Sequence, residues 1–313
     1  MDENNFVEYL RTEFPFRYGL GIGDDTSIVK IDKGYQLITK DILIEGVHFD
    51  QSYFTPEEIA VKALGVNLSD IAAMGGRPDY FHLGLGFPRL FKGERLDRFF
   101  RSLKSECKKW DIELAGGDIS SSPGGLFISV TMTGFSLNPV KRSGAENGDL
   151  IGISRVTGCS AIGLELLKKG IDIPFFSECH KDPAPEVEKG MVFSQYVNSM
   201  IDISDGLLID LERVLIRSRK GAVIRYGDIP VTEEMHSVCS ELKLDEIELV
   251  LSGGEDFALL FTISPDKEQE MKGAGISFHI IGEVKKEKGI RIESGGNVIR
   301  QESTGFDHFK QGY

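Results

Sequence analysis

The sequence predicts a two-domain protein of mixed α/β (α+β) class, and three observations carry that prediction. Its 313 residues, 41% hydrophobic and 27% charged, suffice for two units that each bury a core. Strand-like apolar runs alternate with helix-like stretches along the chain. A turn-rich joint, Asn138-Pro139 and then Ser143 to Asp149, interrupts the alternation near the middle. We therefore expect domains at 1–137 and 138–313.

Residues 2–13 carry Phe6, Leu10 and Phe14 at helical spacing, which predicts a first packing helix. Ser27 to Ile31, Gln36 to Thr39 and the run on to His48 read as strands, separated by the Asp32-Lys33-Gly34 turn. Thr55-Pro56-Glu57-Glu58 is a helix start, with Thr as N-cap, Pro in the first turn and acids facing the helix dipole. That helix should run to about Met74, where Gly75-Gly76 and Pro78 stop it. Asn67 and Asp70 share one of its faces among core-like neighbours, where polar groups need partners. His82 to Phe87 is expected as a strand, Gly93 to Trp110 as a helix and Phe127 to Phe135 as a strand. In the second half Leu150 to Arg155 is strand-like and Ser160 to Lys169 helical, while Phe175 to Pro185 reads as an irregular surface excursion. Met200 to Ile203 should be a short strand feeding Ser204-Asp205-Gly206. The helix that follows would bury Leu207, Leu208, Leu211, Val214 and Leu215, leaving its N-terminus open to phosphate. Phe257 to Ile263 reads as another strand.

The chemistry is carried by acids at the borders of these elements. Gly21 to Val29 is a glycine-punctuated turn that delivers Asp24 and Asp25 side by side, and adjacent carboxylates repel unless a cation or proton lies between them. Asp41, Asp70, Asp118, Asp202 and Asp205 each sit beside Gly, Ser, Asn or a strand end. Asp202 and Asp205 serve equally as caps of the following helix or as ligands. Together the acids predict a site for hard cations and, through them, phosphate chemistry. In Leu114 to Asp118, and again in Ser252 to Asp256, two glycines precede an acid, a device that lets backbone approach a ligand.

A net charge of -13 without a dense Lys/Arg run argues against a nucleic-acid partner. Cys107, Cys159, Cys179 and Cys239 lie too far apart for a zinc module or disulfide framework, which fits a cytoplasmic protein. No signal peptide and no apolar run of membrane-spanning length is expected, hence no membrane partner. Walker A, protein-kinase catalytic-loop, dinucleotide-binding and serine-hydrolase patterns are all absent. What remains is the set of acids with few basic residues near them, Arg142 being the most suggestive. Phosphoryl transfer needs positioning and charge neutralisation more than covalent chemistry, and Mg2+ ions held by those acids would supply it.

GIGDD, Asp41 with EGVHF after it, NLSDIAAMGG, AGGDIS, KRSGA, DISDGL, GGED and GFDHF occur in this order from about residue 20 to 309. In them the chain resembles the thiamine-monophosphate kinases of the aminoimidazole ribonucleotide synthetase superfamily. The resemblance implies ATP-dependent phosphorylation of thiamine phosphate to thiamine diphosphate by direct in-line transfer, assisted by several Mg2+ ions and without a covalent nucleophile. It implies metal positions at Asp25, Thr39, Lys40, Asp41, Asp70, Asp118, Asp202 and Asp205. ATP contacts would come from Phe100, Gly117, Asp118, Arg142 and Ser204, and thiamine phosphate contacts from His48, Glu255 and Phe306. It further implies a homodimer, formed by the sheet of the N-terminal domain pairing with its twin, and a larger C-terminal α/β domain. Three positions depart from the family pattern: Lys40 stands for a threonine, Phe100 for a tyrosine and Phe306 for a tryptophan. Alternative readings are another ATP-dependent enzyme of the superfamily, or an impaired nucleotide-binding or maturation protein. Selenophosphate synthetase would need a reactive Cys and Lys near the N-terminus. Hydrogenase-maturation relatives end in cysteine, where this chain reads Lys310-Gln311-Gly312-Tyr313.

Overall fold

A computed structural model of the chain describes residues 3–299 and Gly305. The first half runs α1 (Glu3–Glu13), β1 (Gly19–Leu20), β2 (Ser27–Lys30), β3 (Tyr35–Ile44), α2 (Pro56–Ala73), β4 (Arg77–Phe87), α3 (Glu94–Trp110), β5 (Glu113–Ser121) and β6 (Phe127–Ser136). Its strands form a six-stranded sheet in the order β1-β2-β3-β6-β4-β5. The second half continues with β7 (Leu150–Ile153), α4 (Cys159–Lys168), α5 (Pro174–Lys181), α6 (Val187–Phe193), β8 (Ser199–Asp202), α7 (Leu207–Ser218) and β9 (Gly221–Arg225). It closes with α8 (Glu233–Leu242), α9 (Glu246–Ser252), β10 (Leu259–Ile263), α10 (Pro265–Gly273), β11 (His279–Lys285), β12 (Gly289–Ser294) and β13 (Asn297–Ile299). These strands make a seven-stranded sheet, β13-β12-β9-β11-β7-β10-β8. No described helix is long and apolar enough to cross a membrane.

Helix α2 is the element on which both halves converge. Thr55 caps it reciprocally: the Glu58 N–H donates to the Thr55 hydroxyl, and the Thr55 N–H to the Glu58 carboxylate. It packs on β3, β6 and α3 of its own half and on α5, α6 and β8 of the other. A helix enclosed this way must be apolar on nearly every side. Ile59, Ala60, Ala63, Leu64, Leu68, Ile71 and Ala72 are all fully buried. The apolar cluster around it extends to Phe193, Met200, Leu259 and Phe261 of the second half.

Strand alternation sorts β3 into two faces. Leu37, Thr39 and Leu43 are buried towards α2, while Lys40, Ile42 and Ile44 are exposed on the other side. Two local expectations need correction, and one segment that was given no element takes one. Phe175 to Pro185 is no irregular excursion: Pro174 opens α5, whose Phe176, Ser177 and His180 are buried against the rest of the fold. Leu114 to Asp118 is part of edge strand β5, paired in parallel with β4. Strand β4 begins at Arg77 rather than His82, with an irregularity between Pro78 and Tyr80 where proline cannot donate to the ladder.

Candidate active site

The Gly21 to Thr26 turn is shaped by its glycines. Gly23 has φ +125, a backbone conformation that residues with a side chain rarely adopt, and so shapes the turn that brings the next two acids in. Asp24 Oδ1 accepts the Arg142 N–H at 2.6 Å, and Asp25 Oδ1 accepts Arg142 Nη2 at 2.6 Å and Nε at 3.2 Å. Burial pushes the Asp24 carboxyl up to about 6, although the Arg142 N–H pulls the other way. The inner face of β3 presents Thr39 and Asp41, and Thr39 Oγ1 donates to Asp70 Oδ2 on α2. From the same helix Ser69 Oγ donates to Asp202 Oδ2, at the end of β8, at 2.6 Å.

Asp25, Asp70 and Asp202 each offer a carboxylate oxygen, and these oxygens lie within 4.8 Å of one another. Acids from residues 25, 70 and 202 thus meet at the seam between the halves. Burial raises the carboxyls of Asp70 and Asp202 well above the usual range, reinforced by Asp41 in one case and Asp25 in the other. Asp41 is pushed up to about 6, by burial first and by Asp205, against a hydrogen bond with Asp70. Among the described residues, buried Asp25 Oδ2 and Asp41 Oδ2 have no hydrogen-bond partner. Crowded carboxylates with orphaned oxygens suit a hard divalent cation, which takes oxygen ligands.

The turn after β8 carries Ser204, Asp205 and Gly206. Their N–H groups all donate to Asp210 Oδ2, at 3.0, 3.0 and 3.2 Å. The start of α7 is therefore not open to phosphate through these groups, as its sequence suggested; an acid one turn into the helix occupies them. Arg213 Nη1 bridges Asp205 and Asp210 at 2.6 Å each.

Two cavities meet at Asp41, Ser204 and Asp205. The wider one, about 700 Å³, is bounded by the Gly21 to Ser27 turn, Asp70, Arg142 and Arg213. The narrower, about 340 Å³, is bounded by His48, Lys62, Ser160, His180 and Glu255. His48 Nδ1 accepts the Ile44 N–H at 3.1 Å, which leaves the ring proton of a neutral imidazole on Nε2.

Other expected site residues lie elsewhere. The Lys40 ammonium is on the opposite face of β3, 2.7 Å from Ser129 Oγ and 3.2 Å from Thr131 Oγ1, so it does not enter the acid cluster. Asp118 is exposed on β5, three strands from β3 in the sheet order and so ~14 Å across it at ordinary strand spacing. Gly117 serves its neighbour strand: a Cβ there would lie 1.9 Å from the Leu83 carbonyl oxygen. Phe100 packs edge-on against Phe99 at 5.4 Å in α3 and lines neither cavity. Phe306 falls outside the described residues.

Sequence reasoning passed over Lys62, Ser69, His180, Asp210 and Arg213. Lys62 had a legible signal, since it stands four residues before Val66 and eight before Asp70 on one helical face. His180 had none, because its partners come from distant segments.

The AIR synthase related protein, N-terminal domain, matches residues 23–136, and the AIR synthase related protein, C-terminal domain, matches residues 183–295. The thiamine-monophosphate kinase of Buchnera aphidicola subsp. Schizaphis graminum is 35% identical over 306 residues, 92% of either chain. A solved structure of AaThiL complexed with AMPPCP and TMP covers 98% of this chain and 97% of its own at 31% identity, with a TM-score of 0.89. The crystal structure of thiamine monophosphate kinase from Aquifex aeolicus covers 96% and 99% at 29% identity, with a TM-score of 0.83. On these likenesses, which run through both halves that build the site, the chain belongs to the thiamine-monophosphate kinase family and is a phosphotransferase.

Proposed function

We propose that the chain transfers the terminal phosphoryl group of ATP directly to the phosphate of thiamine phosphate, giving thiamine diphosphate. The observation that carries this reading is the junction of two cavities at Asp41, Ser204 and Asp205, beside carboxylates that crowd within 4.8 Å. A donor in the wider cavity and an acceptor in the narrower one would face each other across those acids, as in-line displacement requires. The structural relative that covers nearly the whole chain is complexed with AMPPCP and TMP, the pair of ligands such a junction would accommodate.

The acceptor is a phosphate oxygen that already carries charge, so no side chain need act as covalent nucleophile. Asp25, Asp41, Asp70, Asp202 and Asp205 would hold Mg2+, with Thr39 and Ser69 orienting Asp70 and Asp202. Bound there, Mg2+ supplies charge neutralisation for the polyphosphate. Arg142 aligns Asp25, and Ser204 lines both compartments. His48 and Glu255 would contact the acceptor from the narrower cavity. We assign the metal and nucleotide functions to 1–137 and the completion of both sites to 138–313. Supporting that division, every strand of the first sheet ends by Ser136 and every strand of the second begins at or after Leu150. We further propose a cytoplasmic homodimer.

A coupled ADP-release assay with ATP, thiamine phosphate and MgCl2 tests the reading. Release that depends on both thiamine phosphate and Mg2+ is expected. ADP release indifferent to thiamine phosphate would refute the acceptor, and tight ATP binding without turnover would favour a protein that has lost catalysis.

A further inference from the structure

Lys62 is among the largest side chains buried completely in the described core, at 1% exposure. A lysine is almost never enclosed without a specific partner, because taking an ammonium from water is costly. Its Nζ lies 2.8 Å from Glu255 Oε1 and 3.2 Å from the His180 carbonyl oxygen, with the Phe54 ring centroid at 5.3 Å. The other oxygen of the same carboxylate, Glu255 Oε2, is 3.2 Å from His180 Nδ1, which is also 3.2 Å from Ser160 Oγ. A carboxylate only accepts, so Nδ1 carries the ring proton, and burial, aided by Lys62, keeps His180 neutral. Both oxygens of Glu255 are therefore clamped from α2 and α5, while the side chain keeps 25% exposure towards the narrower cavity.

The backbone there is held in an unusual conformation as well. Glu255 has φ +64 and Phe257 φ +50, the left-handed region that L residues rarely adopt. Strain of that kind persists where surrounding contacts over-determine it, and it clusters at ligand clamps. The Glu255 N–H donates to the Ser204 carbonyl oxygen at 2.7 Å, and Asp256 accepts the N–H groups of Gly158 and Ser160. This segment is thus fixed on each side of the Glu255 carboxylate, which lines the narrower cavity together with the junction acids Asp41 and Asp205.

We infer that Lys62 is a positioning residue of the acceptor compartment, whose buried ammonium holds the Glu255 carboxylate in the orientation that receives thiamine phosphate. The inference rests on the proposed role of Glu255. With the ammonium gone, Glu255 would lose the only cation within ion-pair distance of it among the described residues and would turn towards solvent. Acceptor binding would weaken while the ATP compartment, which Lys62 does not line, would be unaffected.

Four proteins decide it: the wild type, Lys62→Met, Glu255→Gln and the double variant, each assayed for the KM of thiamine phosphate and of ATP and for melting temperature. Lys62→Met keeps the length of the stem and removes the charge. It should raise the thiamine phosphate KM about tenfold, as loss of an outer partner that orients a liganding group does, with the ATP KM changed less than about twofold. On the Glu255→Gln background the same change should add less than about twofold, since the two residues act as one unit. The double variant should melt no lower than Lys62→Met, because an unpaired carboxylate has been removed.

If Glu255→Gln leaves the thiamine phosphate KM unchanged, the role of Glu255 falls and the inference with it. A rise for Glu255→Gln with none for Lys62→Met overturns the inference alone. So does a Lys62→Met effect that multiplies with that of Glu255→Gln and weakens ATP equally, which would mark Lys62 as a packing residue. Should Lys62→Met fail to fold, the double variant decides: parity with Glu255→Gln supports the role, and a further KM loss overturns it.

Discussion

At the scale of single residues, neighbours in sequence have opposite fates. Lys40 and Asp41 are adjacent, yet strand alternation sends the lysine to the outer face, towards Ser129 and Thr131, and the acid into the seam between the halves. The ammonium thus stays out of the acid cluster, although Lys40 still lines the wider cavity and its charge draws the Asp41 carboxyl down against the burial that raises it. Asp70 is the opposite case, since it touches Thr39 and joins Asp25 and Asp202. Asp70→Asn keeps the shape and removes the charge. It should cut turnover on the order of 100-fold or more, as loss of a directed electrostatic contact does. The variant should also lose most of the rise in melting temperature that Mg2+ gives the wild type, because a ligand stabilises only the state that binds it. An undiminished Mg2+ shift would remove Asp70 from the metal set. Asp25, Asp70 and Asp202 were picked out by small or polar neighbours, whereas Asp41, expected at a strand end, lies within β3 (Tyr35–Ile44) and reaches the site by strand alternation. His180 was not legible, because nothing beside it in the chain reveals the Glu255 carboxylate it shares with Lys62.

At the scale of elements, helix α4 illustrates support from far along the chain. Its N-cap is Gly158, which offers no side-chain acceptor, and Asp256 from the segment before β10 takes that role. Gly158 N–H lies 2.5 Å and Ser160 N–H 3.1 Å from its two oxygens. Burial pushes the Asp256 carboxyl from its ordinary 3.8 up to about 6, against the pull of those two N–H groups. The folded value lies above the unfolded one, so folding takes up a proton between about pH 4 and pH 6. The stability Asp256 contributes is full below that window and falls as pH rises through it. Asp256→Asn cannot ionise and loses an acceptor, at a cost of roughly 1–3 kcal/mol. Its melting temperature should therefore fall further below the wild type at pH 5 than at pH 7.5, and equal deficits at both would contradict the account. Elements with a strong local signature, such as α2 with its Thr55 capping box, were readable in advance. Short α5 was not: its buried face is set by packing on α4, with the Phe176 carbonyl oxygen 2.1 Å from where a Cβ on Gly163 would sit.

At the scale of the whole molecule, the described residues leave one face of the first sheet uncovered. Ile42, Ile44, Tyr80 and Phe127 are exposed there, more apolar surface than a solvated sheet face needs. Asp118 belongs to that face, since Ile42, Ser129, Gly84 and Asp118 stand in one register row across β3, β6, β4 and β5. If this face pairs two copies, Asp118 lies in the interface and serves the partner's acid cluster rather than its own. Asp118→Asn should then be inactive alone, as should Asp70→Asn. A 1:1 mixture refolded together should recover about a quarter of wild-type activity, from half the dimers with one intact site each. No recovery from a mixture shown to contain mixed dimers would keep Asp118 out of the partner's site.

By itself the sequence determined the class of fold, the long capped helix and the kind of chemistry, because each is written locally: apolar period, capping residues, and acids set beside small residues at element ends. Only the tertiary structure decided which of those acids meet, which way Lys40 points, and which carboxylate the buried Lys62 pairs with. Those outcomes depend on sheet register and on the packing of α2 against segments more than a hundred residues away, and separation along a chain carries no record of distance in space.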